Sequence, residues 1–281
     1  MRMPAYFLKM INNSLLIYLR IGINFIFSCI FINYVSAQDF NIKILDSFKI
    51  KSDQIYLDHL NQLYVIQSQD HLILKFDDQF QIKKESSSSF YAEPLFMSVV
   101  DPMKIILFIP SFSNVQILNS DLTLLSDEYY QEFNSESAIT HYSNQSLCYF
   151  ANGKITLKNK IDNRLLESEN IYYNRSKELK LTEIKSNGKD IYLLIPGAGL
   201  WHFNEFLKLE HFINDSTIEH IDLYENKLFI SKQEQIEILN LNLKSPLQKI
   251  KFSFPILSFS VNKNYLLLAD KNKIGKENFI F

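Results

Sequence analysis

The sequence predicts an all-β protein, a β-propeller of about six four-stranded blades, and three observations lead to this fold class. Short apolar runs recur along the chain, turn residues separate them, and prolines lie at their edges rather than within them. The 281 residues are 47% hydrophobic and include 23 Phe and 15 Tyr, which suits half-buried pleated strands around a full core.

The apolar runs carry the repeat. In each repeat a polar turn leads into an apolar strand, and a second strand often follows. The central apolar residues of the first strands are Leu63, Ile106, Leu147, Ile191, Leu228 and Leu266. The intervals between them are 43, 41, 44, 37 and 38 residues. Propeller blades repeat about every 40–50 residues. A β-sandwich or an irregular meander with accidental spacing is the alternative.

Closure of the ring requires the two ends of the mature chain to meet. Residues 41–45 can supply one strand and residues 278–281 its partner, in a shared final blade. Residues 126–138 are expected to form a short helical or loop insertion, and residues 84–95 a flexible connection. With only 6 glycines, tight turns are expected to rely on Asn and Asp, which tolerate positive φ.

The N-terminus is predicted to be a signal peptide over residues 1–37, followed by a single propeller domain over residues 38–281. Arg20 ends a basic flank, an apolar stretch follows, and Val35-Ser36-Ala37 provides small residues before the expected cleavage. The stretch is shorter than the roughly 20 residues that span a bilayer. An uncleaved anchor is the main alternative, and lipidation at Cys29 is a weaker one.

Export implies a periplasmic, outer-membrane-associated or extracellular location, with membrane contact only through an uncleaved N-terminal segment. Without residues 1–37 the chain carries 26 Lys and Arg against 31 Asp and Glu, so no nucleic-acid surface is expected. Cys148 is then the only cysteine, which excludes an intramolecular disulfide. We expect a monomer.

Several segments resemble a known group of proteins. The stretch from Val100 to Phe112, with the Leu118-Asn119 turn after it, is similar to one found in uncharacterised exported propeller-like proteins of the Bacteroidetes, of the NHL/TolB-like six-bladed type. Residues 58–65, 74–77 and 199–204 resemble the same group. The group has no established activity, so the resemblance implies fold and export only.

No residue pattern announces catalysis, a cofactor or a metal. The six histidines form no i, i+4 pair, and we expect most of them on the surface or in turns; they are His59, His71, His141, His202, His211 and His220. Cys148 lies within an apolar run and is interpreted as a small buried hydrophobe. No catalytic, cofactor-binding or metal-ligating residue is therefore assigned.

Other polar motifs are interpreted as turns. Gly197-Ala198-Gly199 lacks the helix and the Lys-Ser/Thr ending of a phosphate loop, and we expect a turn between two strands. Asp77, Asp78 and Asp121 lie at strand turns, where aspartate usually accepts hydrogen bonds from its own backbone.

Trp201 is the only tryptophan. An exposed tryptophan beside a histidine could stack on a sugar or peptide group. We expect it instead to pack between two blades, with Leu200 and His202 on the opposite face of the strand.

Two functions remain open. The first is a binding or scaffold protein of the cell envelope that recognises a protein, peptide or glycan through its loops. The second is a hydrolase or lyase whose catalytic groups come from several blades and meet in the central channel. Titratable residues that converge in the channel would favour the enzyme, and a channel filled with Leu, Phe and Ile would argue against it.

Overall fold

A computed structural model describes residues 39–40, 46–88, 95–174, 181–240, 246–270 and 272–278. These residues form 25 β-strands in six sheets and one short 3₁₀ helix at Pro110–Phe112. The first 38 residues, with the predicted signal peptide, lie outside the described part of the chain. The fold below is that of the unit Asp39–Phe281.

The first two short strands are completed by the end of the chain, and three blades follow them. The initial strands are β1 (Asp39–Phe40) and β2 (Asp46–Lys49). Blade 1 contains β3 (Gln54–Leu57), β4 (Leu63–Gln67), β5 (Leu72–Phe76) and β6 (Ile82–Ser87). Blade 2 contains β7 (Phe96–Ser98), β8 (Ile105–Ile109), β9 (Asn114–Leu118) and β10 (Leu124–Tyr129). Blade 3 contains β11 (Ala138–Ser143), β12 (Ser146–Ala151), β13 (Lys154–Asn159) and β14 (Leu165–Glu167).

The remaining three blades follow the same order, from the innermost strand outwards. Blade 4 contains β15 (Glu183–Ser186), β16 (Ile191–Ile195), β17 (Gly199–Phe203) and β18 (Leu209–Ile213). Blade 5 contains β19 (His220–Tyr224), β20 (Lys227–Lys232), β21 (Gln235–Asn240) and β22 (Pro246–Lys251). Blade 6 contains β23 (Ser258–Val261), β24 (Tyr265–Ala269) and β25 (Lys273–Asn278). The six-bladed propeller is therefore confirmed.

The ring closes through a shared blade, as predicted in kind. β2 pairs antiparallel with β25 and becomes the outer strand of blade 6, with Lys49 opposite Lys273. The strand was expected at residues 41–45, which lie outside the described residues, and the observed strand begins at residue 46. β1 pairs parallel with β22 and adds a fifth strand to the outer edge of blade 5.

The core is divided among the blade junctions. Six clusters of buried apolar residues lie between successive blades, one cluster at each junction of the ring. β8 and β16 are buried at every position because both faces of these strands meet a neighbouring blade. All six residues that marked the repeat lie in the second strand of a blade. The sequence period is thus the period of these doubly buried strands.

The turns between third and fourth strands depart from one expectation. Asp77, Asn119 and Asn204 each accept hydrogen bonds from backbone N–H groups two and four residues further on. The residue with positive φ in these turns is large and apolar: Phe80, Leu122 and Leu207, at 60°, 58° and 58°. Asn61, Asn152 and Asn163 do adopt positive φ, as predicted. For Leu122 and Leu207, the energetic cost of the left-handed conformation is offset by burial, since both residues join blade-junction clusters.

Two predicted irregular segments are partly strand. Residues 126–129 belong to β10 rather than to an insertion, and the remainder of 126–138 contains turns before β11 begins. Residues 84–87 belong to β6, whereas residues 89–94 lie outside the described part of the chain.

Candidate binding site in the central channel

The innermost strands of all six blades line a central channel of about 680 Å³. This volume is within the range of small-molecule pockets, roughly 300–1,000 Å³. Alternate residues of each inner strand face the channel, and the residues between them pack into the blade junctions.

One polar layer runs around the middle of the channel, with one residue from each blade. The six residues are Tyr56, Ser98, Thr140, Lys185, Asp222 and Ser260. Hydrogen bonds join neighbours in this layer: the Ser98 and Thr140 hydroxyls are 3.1 Å apart, and the Ser260 hydroxyl donates to Asp222 Oδ2 at 2.9 Å. Polar side chains at equivalent repeat positions therefore meet at the axis.

Asp222 is the most connected residue of this layer. Its Oδ1 accepts from Lys185 Nζ and from the Leu223 N–H, both at 3.0 Å. Its Oδ2 accepts from the Ser260 hydroxyl and the Val261 N–H, both at 2.9 Å. One carboxylate thus joins blades 4, 5 and 6.

Lys185 extends across the axis of the channel. Its ammonium pairs with Asp222 of blade 5 and lies 5.7 Å from the ring centroid of Tyr56, in the opposite blade 1. The Lys185 side chain is 25% exposed and that of Asp222 is 11% exposed, so the pair borders the channel space without being fully solvated.

A second pair lies one layer away. His220 Nδ1 is 2.6 Å from Glu183 Oε1, and Glu183 Oε2 accepts the Ile221 N–H at 2.9 Å. At the ring closure, the Ser258 and Ser260 hydroxyls accept the N–H groups of Ile55 and Leu57 in the same way. Inner side chains of blades 4, 5 and 6 therefore each bind the backbone of the following blade.

The pKa shifts in the channel hold two groups in their resting protonation states. Burial alone would lower the pKa of Lys185, but the carboxylates of Asp222 and Glu183 outweigh burial and raise it. Burial raises the pKa of Tyr56, and the nearby Glu183 and Asp222 charges add to this effect. Lys185 stays a cation and Tyr56 a neutral phenol, which is opposite to what a lysine or tyrosine base requires.

The structure places the histidines in different environments. His220 lies in the channel and His59 lines its mouth. His202 Nε2 lies 2.8 Å from Asp190 Oδ1. His141 is buried rather than on the surface or in a turn, because its ring fills the junction of blades 2 and 3 beside Ser98.

Other predicted placements are confirmed. Cys148 is fully buried, and burial raises the pKa of its thiol. Trp201 packs at the junction of blades 3 and 4 against Phe212, with ring centroids 4.6 Å apart. Leu200 and His202 lie on the other face, where His202 stacks on Tyr192.

The two turn motifs also lie where they were expected. Residues 196–198 turn from β16 into β17, which Gly199 begins with φ 133°. Asp77 accepts hydrogen bonds from its own turn, whereas in the next blade Asn119 takes this role and Asp121 only donates its N–H.

The channel residues were missed in the sequence. The signal was present as polar residues two positions apart in short segments before each apolar strand, as in Glu183 and Lys185 or His220 and Asp222. The second pair follows the first by 37 residues, the local repeat length.

Among the described loops, exposed apolar side chains are more numerous at one end of the propeller. We call this the upper end; it carries the loops from first to second and from third to fourth strands of each blade. Leu60, Val100, Met103, Ile161 and Phe206 are exposed in these loops, with Met103 at 62% and Phe206 at 66%. The opposite, lower end carries Phe112 and Tyr172 among the described exposed residues.

The described residues contain neither a membrane-spanning helix nor a metal-binding cluster. No helix in this part of the chain is long and apolar enough to cross a membrane. Within the same residues, no group of three or more His, Cys, Asp or Glu side chains could hold a metal ion.

Comparison with known proteins shows the fold alone. No protein-family model and no curated protein matches the sequence. A solved structure of the Neurospora crassa Pan2 WD40 domain matches with a TM-score of 0.52 and 9% identity, covering 86% of this chain and 98% of that one. A chain of the mitotic checkpoint complex matches with a TM-score of 0.55 and 9% identity, covering 88% and 98%. BamB from Moraxella catarrhalis has a TM-score of 0.48 and 10% identity, covering 78% of this chain and 67% of that one.

Proposed function

We propose that the protein is a binding or scaffold protein of the cell envelope that recognises a protein or peptide partner through its upper end. The observation that carries this proposal is that the loops of that end expose five large apolar side chains, against two in the described part of the lower end. Contiguous exposed apolar surface typically marks an interaction site. A glycan partner is less well supported, because Trp201, the sugar-stacking candidate, is buried.

The envelope location rests on residues 1–37, which we propose to be a removable signal peptide. The mature protein would then be periplasmic, outer-membrane-associated or extracellular. Intact mass measurement of protein recovered from the envelope should give a chain that begins at Gln38. A cytoplasmic protein of full mass would contradict this part of the proposal.

Partner capture tests the upper end directly. After mild cross-linking in envelope extract, the tagged protein should recover a discrete partner, and Leu60→Glu with Met103→Glu should abolish recovery. Tyr172→Glu is the matched control, because Tyr172 is 87% exposed at the lower end and should leave recovery unchanged. Equal recovery by all three proteins would overturn the proposed surface.

The catalytic alternative has one specific observation in its favour. The channel is open, and Glu183, Lys185, His220 and Asp222 converge there. Against it, both Asp222 oxygens and both Glu183 oxygens already accept hydrogen bonds from the protein. Lys185 is held as a cation, so it cannot act as a base or nucleophile near neutral pH. Binding is the function that the geometry supports best.

A further inference from the structure

The outer strand of blade 2, β10, has an open edge. It pairs with β9 and with no other described strand. Five of its six residues are exposed, and they include Leu124, Leu125 and Tyr129 at 50%, 56% and 68%. A long, exposed, apolar edge strand is a template on which another strand can pair.

The backbone register shows which groups are available. The Tyr130 N–H donates to the Ser113 carbonyl at 3.0 Å, and the β9–β10 register places Tyr129 opposite Asn114. Hydrogen-bonded pairs alternate along an antiparallel ladder. The N–H and C=O groups of Glu128 therefore point toward β9, and those of Asp127 and Tyr129 point toward the open edge.

The stretch of sequence that contains β10 carries acidic residues but no Lys or Arg. Residues 105–153 contain no Lys or Arg and five acidic residues. Asp127 accepts a hydrogen bond from Asn114, Glu128 accepts one from the Tyr130 hydroxyl at 2.7 Å, and neither carboxylate forms an ion pair within the described residues. From blade 3, Lys160 interacts electrostatically with Glu128, and Lys158 lies 5.0 Å from the ring centroid of Tyr130.

The two other six-residue outer strands, β6 and β22, are protected. β6 has the same length but carries Lys83 and Lys84, and edge lysines oppose pairing with another strand. The outer edge of β22 is covered by β1, with Asp39 opposite Lys249. The chain itself therefore adds a strand, β1, to the outer edge of blade 5. The edge strand β22 carries the basic Lys249 opposite the acidic Asp39, whereas β10 carries the acidic Asp127 and Glu128.

We propose that β10 accepts a basic, extended segment of a partner protein as an added strand at the edge of blade 2. This inference rests on the proposed binding function and names the chemistry of the partner. Main-chain hydrogen bonds to Asp127 and Tyr129 would give affinity, Leu125 would offer apolar contact, and the carboxylates would select lysine and arginine.

Fluorescence anisotropy tests the proposal with the full-length protein and a labelled peptide of alternating lysine and valine. We expect saturable binding, no binding of the matching glutamate–valine peptide, and slower hydrogen exchange of the Asp127 and Tyr129 amides. Asp127→Asn with Glu128→Gln should weaken binding about fivefold at low salt, because two exposed charge pairs with the peptide are lost.

Proline variants separate strand addition from simple charge attraction. Asp127→Pro removes an outward N–H, so it should abolish binding while the β9–β10 ladder and the melting temperature are retained. Glu85→Pro is the matched control, since the Ser88 N–H donates to the His71 carbonyl and residue 85 therefore also faces outward, on β6.

The outcomes distinguish this inference from the proposed function. Equal binding of the basic and acidic peptides, or full binding by Asp127→Pro, would overturn strand addition at β10. Partner capture that still depends on Leu60 and Met103 would leave the proposed function standing in that case. If the wild-type protein captures no partner but still binds the basic peptide at β10, strand addition would stand and the proposed function would be overturned.

Discussion

Replacement of Asp222 by asparagine removes one charge from the middle layer of the channel while nearly preserving side-chain shape. The variant keeps one oxygen that can accept a hydrogen bond, but the Lys185 ammonium, 3.0 Å from Oδ1, loses its carboxylate partner. The new amide also places N–H groups beside the Ser260 hydroxyl or the Lys185 ammonium. The change therefore tests whether this carboxylate holds blades 4, 5 and 6 together.

The expected cost follows from the burial of the pair. Breaking a buried ion pair by removing one partner costs about 3–5 kcal/mol. Since Lys185 remains 25% exposed to the channel, we take the low end, ~3 kcal/mol. In a domain of this size, 1 kcal/mol shifts the melting temperature by about 2–4 °C. Asp222→Asn should therefore melt roughly 6–12 °C lower than the wild-type protein.

A double-mutant cycle measures the interaction itself. Urea unfolding of the wild type, Asp222→Asn, Lys185→Met and the double variant should show a coupling free energy above about 1 kcal/mol. The double variant should be more stable than Asp222→Asn, because it no longer buries an unpaired cation. Additive effects, or a loss below about 0.5 kcal/mol for Asp222→Asn, would refute the reasoning.

The pH profile gives an independent check. The neighbouring carboxylates raise the pKa of Lys185 above 10.5 in the folded state. A raised folded-state pKa contributes stability that is complete below the unfolded value and is lost as pH rises through the folded value. The stability difference between the wild type and Lys185→Met should therefore be constant from pH 7 to 9 and shrink above about pH 10.5. A difference that stays constant to pH 12 would contradict this assignment.

Three further predictions concern the blades. Burial lowers the pKa of His141 from 6.5 to about 4 in the folded state. Its contribution to the free energy of unfolding should therefore be complete above pH 6.5 and fall by about 3 kcal/mol toward pH 4. His141→Gln should lose this acid dependence in urea unfolding, and an unchanged profile would contradict the prediction. Gly199→Ala should cost about 2–3 kcal/mol, because a Cβ at φ 133° would lie 2.5 Å from the Ile213 carbonyl oxygen, whereas Gly153→Ala, with 3.5 Å of space, should cost about 1 kcal/mol; equal melting temperatures would refute the steric argument. Deletion of residues up to Lys49 removes β2 and should lower the denaturation midpoint, measured against deletion up to residue 45, and equal midpoints would show that β2 is not needed for closure.

The strands that were visible in the sequence are those buried on both faces. Leu147 and Ile191 lie in second strands that contact a blade on either side, so almost every residue is apolar and the run stands out. Because the wedge geometry repeats this environment once per blade, the spacing of these runs was sufficient to predict the propeller. The number of blades followed from the same period.

The inner strands left a weak signal for a physical reason. β15 and β19 alternate between apolar residues at the blade junction and polar residues at the channel, and each has four or five residues. The residues that define the site, such as Lys185 and Asp222, are thus the residues that interrupt the apolar pattern. Their pairing depends on the rotation between adjacent blades, which the local sequence does not encode.

The outer strands left a weak sequence signal because they are exposed to solvent. β10 is exposed on both faces, so neither apolar alternation nor a continuous run marks it, and its acidic residues led to the expectation of an insertion. The burial of apolar turn residues was also not predicted from the sequence. Leu122 and Leu207 pack into blade junctions from a left-handed conformation that their residue type does not favour.

The shared blade has a consequence for how the chain matures. β2 is synthesised more than two hundred residues before β25, the strand with which it pairs among the described residues. Contacts so distant in sequence form late, since closing a long loop costs entropy before any contact is gained. A nascent or prematurely terminated chain would therefore carry two unpaired strand edges, which quality-control proteases and chaperones can recognise. The pairing of β2 with β25 therefore requires that the chain be synthesised through β25 before the ring can close.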